Sequence, residues 1–250
     1  MLFVCVVIAL SCFVSFLVGG VVVVLGSLGV FGVSVVTTTY CEVDYVRRFV
    51  CAVKSVLRDF PHEVIVVDDD SPDGTYEVAR GAADVVIRKV REGQTKGLLV
   101  GIEVARYPVV VTLDVDLENP PELIPELLKV FLTGGYDVLV ACRTYLPRFS
   151  ERLASKLLSK YLGVRDVFSN FRVYRRECVV GTDLRLGETF GAELLLIAKS
   201  RGCRIGEYLY EPPPRRSKPR VGGKLVSNLR ILKVITKLLY ATKTTYRLAR

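Results

Sequence analysis

Short runs of β-branched residues alternate with amphipathic stretches along most of this chain of 250 residues. The runs are Val33–Thr38, Glu63–Val67, Asp84–Ile87, the run that starts at Val109, and Asp137–Ala141. The stretches with helical periodicity between them are Asp44–Arg58, Thr75–Ala82, Thr95–Arg106 and Pro121–Leu132. Strands that alternate with helices at this spacing predict an α/β fold with a mostly parallel, doubly wound sheet flanked by helices.

The second half of the chain is less regular. The expected elements there are a helix at Ser150–Tyr161, a strand at Phe171–Tyr174, a helix at Glu188–Ser200, a strand at Arg204–Leu209 and a helix at Leu225–Leu239. Together with the apolar N-terminus, these elements suggest three parts. Residues 1–31 are expected to hold a membrane-spanning helix, residues 32–223 form the α/β domain and residues 224–250 a basic amphipathic helix.

The run from Val109 is followed by four acids and two prolines, in the order Leu113-Asp-Val-Asp-Leu-Glu-Asn-Pro-Pro-Glu122. If the strand continued, Asp114 and Asp116 would point to the same face. Ligands of open α/β sheets bind at the carboxyl ends of the strands. Two hard oxygen ligands with room for substrate phosphates suit Mg²⁺ or Mn²⁺. The alternative is that these acids only mark a turn.

Residues 1–40 contain no Asp, Glu, Lys or Arg. A bilayer-spanning helix needs roughly 20 apolar residues, and residues 2–25 supply them. Lys and Arg are abundant after this segment and absent before it, so the following domain is expected on the cytoplasmic side of a membrane. A misassigned start, or a helix that docks on protein, are the other interpretations.

The formal charge of +9 is concentrated at the C-terminal end, where thirteen Lys or Arg and two Glu lie between Arg201 and Arg250. The helix at Leu225–Leu239 combines this charge with an apolar face. Such helices often lie in the membrane interface, and packing on the domain as an ordinary surface helix is the alternative. No nucleic-acid motif accompanies the charge, so a nucleic-acid partner is not expected.

Seven scattered cysteines without a Cys-x-x-Cys pair, and a single histidine, argue against a zinc site and a Cys–His nucleophile. Dispersed cysteines in odd number fit reduced, mostly buried thiols in a cytoplasmic domain.

Four segments resemble motifs of family 2 glycosyltransferases of the GT-A fold, most closely the dolichol-phosphate mannose synthase and polyprenyl-phosphate branch. They are Val35–Glu42, Val66–Thr75, Leu113–Glu122 and Asp166–Arg176. The family's first motif usually reads Pro-Thr-Tyr-Asn-Glu, and here Thr38 replaces the Pro and Cys41 the Asn. In the last motif Asn170 replaces Gly.

This resemblance implies metal-dependent, inverting transfer of a sugar from a nucleoside diphosphate donor to a lipid phosphate. GDP-mannose and dolichyl or another polyprenyl phosphate would be the substrates. On the donor side, the resemblance assigns the nucleotide-sugar to Tyr40, Glu42, Asp68, Asp69 and Asp114. It assigns the metal to Asp114, Asp116 and Glu118.

On the acceptor side, a phosphate monoester is already ionised, so its attack requires little base catalysis. Its negative charge needs cations to hold it. The resemblance points to Arg143, Arg152, Ser155, Arg216 and Lys224 for the acceptor phosphate. Asp116 and Arg143 are the residues expected to carry catalysis. Glu193, like Glu188 before it, lies where enzymes with other acceptors place a base, and a structural role is expected for Glu193.

Two other functions compete with this interpretation. One is transfer from a UDP-sugar, such as UDP-glucose, to polyprenyl phosphate or a polysaccharide, because a fold does not determine its substrates. The other is a membrane-bound binder of nucleotide-sugars or anionic lipids without catalysis, which the substitutions at Thr38, Cys41 and Asn170 keep open.

Overall fold

The structure, a computed structural model, describes residues 13–18, 21–26, 32–213 and 224–244. Two short strands at the start, β1 (Phe13–Val18) and β2 (Val21–Gly26), pair antiparallel. A transmembrane helix was predicted across this range and is not confirmed, because residues 13–18 and 21–26 are strands and the rest of residues 1–31 lie outside the described part. Among the described residues, no helix has both the length and the apolar character needed to cross a bilayer.

In the described part of the chain, the domain is built on a sheet of seven strands. These are β3 (Val33–Thr39), β4 (His62–Asp68), β5 (Val85–Arg88), β6 (Val109–Thr112), β7 (Val138–Arg143), β8 (Arg172–Arg175) and β9 (Ile205–Tyr210). Their order is β5-β4-β3-β6-β8-β7-β9. All neighbouring strands are parallel except β8, which runs antiparallel to β6 and β7. The predicted mostly parallel α/β fold is therefore confirmed.

Seven helices surround the sheet within the described residues. They are α1 (Val43–Val56), α2 (Thr75–Arg80), α3 (Gln94–Val104), α4 (Ile124–Thr133), α5 (Phe149–Leu162), α6 (Ala192–Ser200) and α7 (Lys224–Lys243). Single 3₁₀ turns at Pro121–Leu123 and Arg176–Cys178 precede α4 and follow β8. Each of these helices was predicted, with bounds that differ by a few residues.

Helices cover both faces of the sheet. In β4, Val64 and Val66 pack with α1 and α4 on one face, while Ile65 and Val67 pack with α3 and α6 on the other. Successive side chains of a strand point to opposite faces, so a strand that is covered on both sides is apolar throughout. This explains the uninterrupted valine runs of the sequence.

Helix α7 packs on the domain. Its side chains Ile231, Val234, Ile235, Leu238 and Ala241 are buried and join the same core as α5 and α6. The helix therefore makes the contact with the domain that one of its two interpretations predicted. Contact of its outward, basic side with a membrane stays a prediction.

Candidate active site

A cleft of about 540 Å³ opens at the carboxyl ends of β3, β6 and β7. Its walls come from the loops after these strands, the segment before β8, the loop before α6, and α7. The lining residues are Thr38, Glu42, Gln94, Asp114, Val115, Asp116, Glu118, Asn119, Arg143, Tyr145, Pro147, Arg148, Glu151, Phe168, Ser169, Asn170, Phe190, Pro212, Pro213 and Ile231. Five residues predicted for the site, Glu42, Asp114, Asp116, Glu118 and Arg143, thus meet in one place.

Asp114 is fixed by two side-chain amides. Gln94 donates from Nε2 to Asp114 Oδ1 over 2.7 Å, and Asn170 Nδ2 lies 3.4 Å from the same oxygen. Burial raises the pKa of Asp114, although both amides and the charges of Arg143 and Arg172 act in the opposite direction. Since the hydrogen bonds described for this carboxylate end on Oδ1, its second oxygen is available to a ligand.

Asp116 and Glu118 lie in the loop after β6 and not on a strand. Strand β6 ends at Thr112, and Leu117 adopts a positive φ of 60°. The turn is closed by the backbone N–H of Glu118, which donates to Asp116 Oδ1 over 3.1 Å. The expectation that Asp114 and Asp116 project from a continuing strand is therefore wrong, but the loop still brings both into the cleft.

Within the described residues, no three His, Cys, Asp or Glu side chains are grouped so that they could hold a metal ion by themselves. Asp114, Asp116 and Glu118 do not form a closed three-ligand site. Mg²⁺ is commonly held by one or two carboxylates together with substrate phosphates. The hard oxygens of Asp114 and Asp116 at the cleft wall fit such a shared site.

Arg143, at the end of β7, is held by two buried acids. Its Nε and Nη2 donate to Asp166 over 2.6 and 3.1 Å, and Glu151 lies 3.7 Å from Nη2. Burial alone would lower the pKa of Arg143, but the hydrogen bonds to Asp166 and the charges of both acids outweigh it and raise the pKa. The guanidinium is therefore permanently charged, and its Nη1 N–H groups are not used by these two acids.

Arg148 is a second cation of the cleft, and the sequence interpretation missed it. It is the residue before α5, where its backbone N–H and its Nη1 donate to the two carboxylate oxygens of Glu151 over 3.2 and 2.9 Å. Its side chain is partly exposed. Arg143 and Arg148 flank Glu151, and both line the cleft.

Aromatic and apolar side chains share the cleft with these cations. Phe168 and Phe190 pack edge to face with ring centroids 6.2 Å apart, and Tyr145 and Ile231 complete this wall. Phe190 is placed by its own loop, because its backbone N–H donates to Glu188, which also accepts from Thr95. Phe168 lies in the Asp166–Arg176 motif, whereas no motif in the sequence marks Tyr145, Phe190 or Ile231.

Arg172 supports the cleft from inside the domain. It is fully buried, and its Nη1 donates to the carbonyl oxygen of Gly191 while its Nη2 donates to that of Val167. The loops that carry Phe168 and Phe190 are thereby tied to β8.

The acids that end β4 are engaged within the protein. Asp68 is buried and accepts from Thr39 Oγ1 and from both Ser71 N–H and Oγ. Asp69 pairs with Lys89 and accepts from the backbone N–H groups of Glu92 and Gly93. Neither lines the cleft. They shape the loops beside it, and their predicted contact with base or ribose stays a prediction.

Tyr40 follows β3 and is covered by Arg91, whose guanidinium carbon lies 3.6 Å from the ring centroid. This cation–π contact stabilises the loop after β5 against the loop after β3. Tyr40 does not line the cleft. Its role in nucleotide binding also stays a prediction.

The remaining residues predicted for the site either do not line the cleft or lie, wholly or in their side chains, outside the part of the chain that the structure describes. Arg152 is exposed and donates to the carbonyl oxygens of Leu146 and Pro147, and Ser155 lies on α5 without lining the cleft. Residue 216 lies outside the described residues, and Lys224 begins α7 with an undescribed side chain. Glu193 is fully buried and accepts backbone N–H groups of Arg185 and Leu186, which fits the structural role expected for it.

The family model "Glycosyl transferase family 2" matches residues 34–179, which hold β3 to β8 and the acidic and basic sides of the cleft. The chain belongs to glycosyltransferase family 2. Among curated family 2 relatives, a dolichol-phosphate mannosyltransferase of Pyrococcus furiosus is 31% identical over 188 residues, which are 67% of this chain and 53% of the relative.

Another family 2 relative is an undecaprenyl-phosphate 4-deoxy-4-formamido-L-arabinose transferase of Aeromonas hydrophila. It is 36% identical over 132 residues, which are 47% of this chain and 40% of that protein. This chain thus spans about half the length of the curated relatives it matches. A solved structure of glucosyl-3-phosphoglycerate synthase from Mycobacterium tuberculosis, in complex with Mg²⁺ and UDP, superposes with a TM-score of 0.68 at 25% identity. The match covers 84% of this chain and 78% of that one.

Proposed function

We propose that this family 2 protein transfers a sugar from a nucleoside diphosphate donor to the phosphate of a polyprenyl or dolichyl lipid, at the cytoplasmic face of a membrane. The observation that carries this proposal is one cleft that joins Asp114 and Asp116 to Arg143 and to an apolar wall. Carboxylates suit a metal–diphosphate, a fixed guanidinium suits a phosphate, and apolar side chains suit a lipid chain.

The donor diphosphate would lie against Asp114 and Asp116, with Glu118 in the same loop. A bound Mg²⁺ or Mn²⁺ would neutralise charge on the leaving diphosphate. Gln94 and Asn170 hold the Asp114 carboxylate in place for this contact. The similar glucosyl-3-phosphoglycerate synthase structure, in complex with Mg²⁺ and UDP, supports the divalent-metal requirement.

The acceptor phosphate would bind to Arg143 and Arg148. Asp166 holds Arg143 through Nε and Nη2, which fixes the direction in which Nη1 presents its N–H groups. A guanidinium binds phosphate oxygens through parallel N–H groups. The lipid chain next to the phosphate would contact Tyr145, Phe168 and Phe190.

The reaction is a single displacement. An oxygen of the acceptor phosphate attacks the anomeric carbon, the bond between this carbon and the diphosphate breaks, and the configuration inverts. The attacking oxygen is already ionised near neutral pH, so no carboxylate base is required. This agrees with Glu193, which is buried and engaged by backbone N–H groups outside the cleft.

GDP-mannose is the first candidate donor, because one relative is named a dolichol-phosphate mannosyltransferase. A UDP-sugar is the second, since the solved relative holds UDP. A non-catalytic binder would bind either nucleotide-sugar without releasing nucleoside diphosphate from it.

The test is a transfer assay in detergent with radiolabelled GDP- and UDP-sugars and Mn²⁺, in which polyprenyl phosphate and the unphosphorylated polyprenol are compared as acceptors. Lipid-soluble label from one donor, with the phosphate but not with the alcohol, is the expected result. Nucleotide binding without label from any donor would contradict transfer. Label on the alcohol as readily as on the phosphate would contradict the role given to Arg143.

A further inference from the structure

Two cysteines that are distant in the sequence lie next to each other, one after the end of β8 and the other before the start of β9. Sγ of Cys203 lies 2.7 Å from Sγ of Cys178, although 25 positions separate them. Cys178 ends the 3₁₀ turn after β8 and is buried, whereas Cys203 lies in the turn between α6 and β9 and is partly exposed. Neither residue lines the cleft.

The backbone on both sides of this pair is already fixed. Arg201 donates from Nη1 to the carbonyl oxygens of Glu177 and Val180, over 3.1 and 2.9 Å. These three residues hold the chain around Cys178 against the chain that leads into Cys203. The backbone segments that carry the two sulfur atoms are therefore held together by hydrogen bonds that do not involve the cysteines.

Asp137, the residue before β7, holds the same two segments through bonds of its own. Its carboxylate pairs with Arg175 Nε at 3.0 Å and accepts the backbone N–H of Arg204 over 2.8 Å. Its carbonyl oxygen lies 3.8 Å from Cys178 Sγ. With both flanks fixed, a small rotation of the two side chains suffices to reach the S–S bond length of about 2.05 Å.

We propose that Cys178 and Cys203 are a disulfide-forming pair, which covalently closes the segment between them. This segment carries Glu188, Phe190 and α6 and supplies one wall of the cleft. The bond would join the two ends of the segment covalently. The site is independent of the sugar-transfer proposal. It also replaces, for these two residues, the expectation that the thiols of this chain remain reduced.

Bond formation requires an oxidant, for which a small disulfide such as oxidised glutathione is sufficient. The partly exposed Cys203 attacks it as a thiolate, forms a mixed disulfide and releases one small thiol. Cys178 then attacks the Cys203 sulfur and displaces the second small thiol. The two protein thiols lose two protons and two electrons, and the small disulfide is reduced to two thiols. Burial and the neighbouring Cys203 raise the pKa of the Cys178 thiol, so the second step accelerates as the pH rises.

The bond is expected to stabilise the domain, because it restricts the unfolded chain over the closed segment. The melting temperature of the oxidised protein should exceed that of the reduced protein by on the order of 5–10 °C. The difference should vanish in Cys178→Ser and in Cys203→Ser. Cys51→Ser, which removes an exposed thiol of α1, should retain it.

The direct test is peptide mapping of the full chain. The protein is incubated with excess oxidised glutathione at pH 8.5, denatured, alkylated without reductant and digested with trypsin. Cleavage after Arg176, Arg185, Arg201 and Arg204 yields residues 177–185 and 202–204, which contain one cysteine each. A linked pair of these peptides, absent after reduction and absent in Cys203→Ser but present in Cys51→Ser, is expected. Recovery of both as separate alkylated peptides, or linked to other cysteine peptides instead, would overturn the proposal.

Discussion

The side-chain amide of Gln94 donates a hydrogen bond of 2.7 Å to Oδ1 of Asp114. Gln94 begins α3, whereas Asp114 follows β6, so this bond links the start of a helix to a loop at the carboxyl edge of the sheet. The bond favours the ionised carboxylate, since hydrogen bonds to the charged form oppose the effect of burial on the pKa of Asp114. Gln94 is thus a positioning residue for the proposed donor site.

Gln94→Met keeps the size of the side chain and removes the donor. Hydrogen bonds to charged groups contribute about 1.5–3 kcal/mol, so the affinity for nucleoside diphosphate in the presence of Mn²⁺ should fall by roughly 10-fold or more. Isothermal titration calorimetry with GDP and UDP measures this. Unchanged affinity in a folded variant would mean that Asp114 does not depend on Gln94, or that the diphosphate binds elsewhere.

Arg143 and Asp166 form a buried pair in which the acid is about 1% exposed. Arg143→Met leaves Asp166 buried without its cation, and removal of one partner from such a pair costs about 3–5 kcal/mol of unfolding free energy. The matched double variant Arg143→Met with Asp166→Leu should recover more than half of this loss. Urea denaturation measures both variants. Equal stability of the single and double variants would show that the pair is not coupled.

Cys41 has a positive φ of 56°, which is unfavourable for most side chains but tolerated by Asn. The family motif has Asn at this position. Cys41→Asn should therefore stabilise the domain by about 1 kcal/mol, or raise the melting temperature by about 2–4 °C. Cys51→Asn, at an exposed helical position of α1, is the control and should not stabilise. A lower melting temperature for Cys41→Asn would contradict the role of backbone strain.

Divalent metal should be required for turnover. Removal of metal with EDTA is expected to abolish transfer, and Mn²⁺ or Mg²⁺ should restore it, because two carboxylates without a cation would repel the donor diphosphate. Nucleotide affinity should fall in parallel. Full activity in excess EDTA would exclude the shared metal–diphosphate site at Asp114 and Asp116.

The sequence predicts the fold well because its signals are local. Each valine run is a strand and each amphipathic stretch a helix. Burial of one face of an element, or of both, sets the spacing of its apolar residues, and this spacing is visible among neighbours in the sequence. The reversal of β8 was not predicted, because the direction of a short buried strand depends on its neighbours in space and not on its own residues. The predicted N-terminal helix rested on apolar composition alone, which a strand satisfies equally.

Several residues predicted from motifs line the cleft, whereas cleft residues that come together from distant positions were not predicted. Asp114, Asp116 and Arg143 follow strands and could be placed at one edge of the sheet. Gln94, Arg148 and Phe190 enter the cleft through turns whose geometry is fixed by remote contacts, such as Glu188 with Thr95, 93 positions apart. Asp68 and Asp69 match a motif and accept hydrogen bonds within the protein, and their contact with base or ribose stays a prediction.

The most direct test of the central claim compares the rate of sugar transfer to polyprenyl phosphate for the wild type, Asp116→Asn and Asp59→Asn. Asp116 lines the cleft, whereas Asp59 is an exposed acid paired loosely with Arg58 at 3.6 Å. We expect a rate at least about 100-fold lower for Asp116→Asn, with unchanged melting temperature, and a wild-type rate for Asp59→Asn. Wild-type transfer by Asp116→Asn would contradict the assignment of the reaction to this cleft.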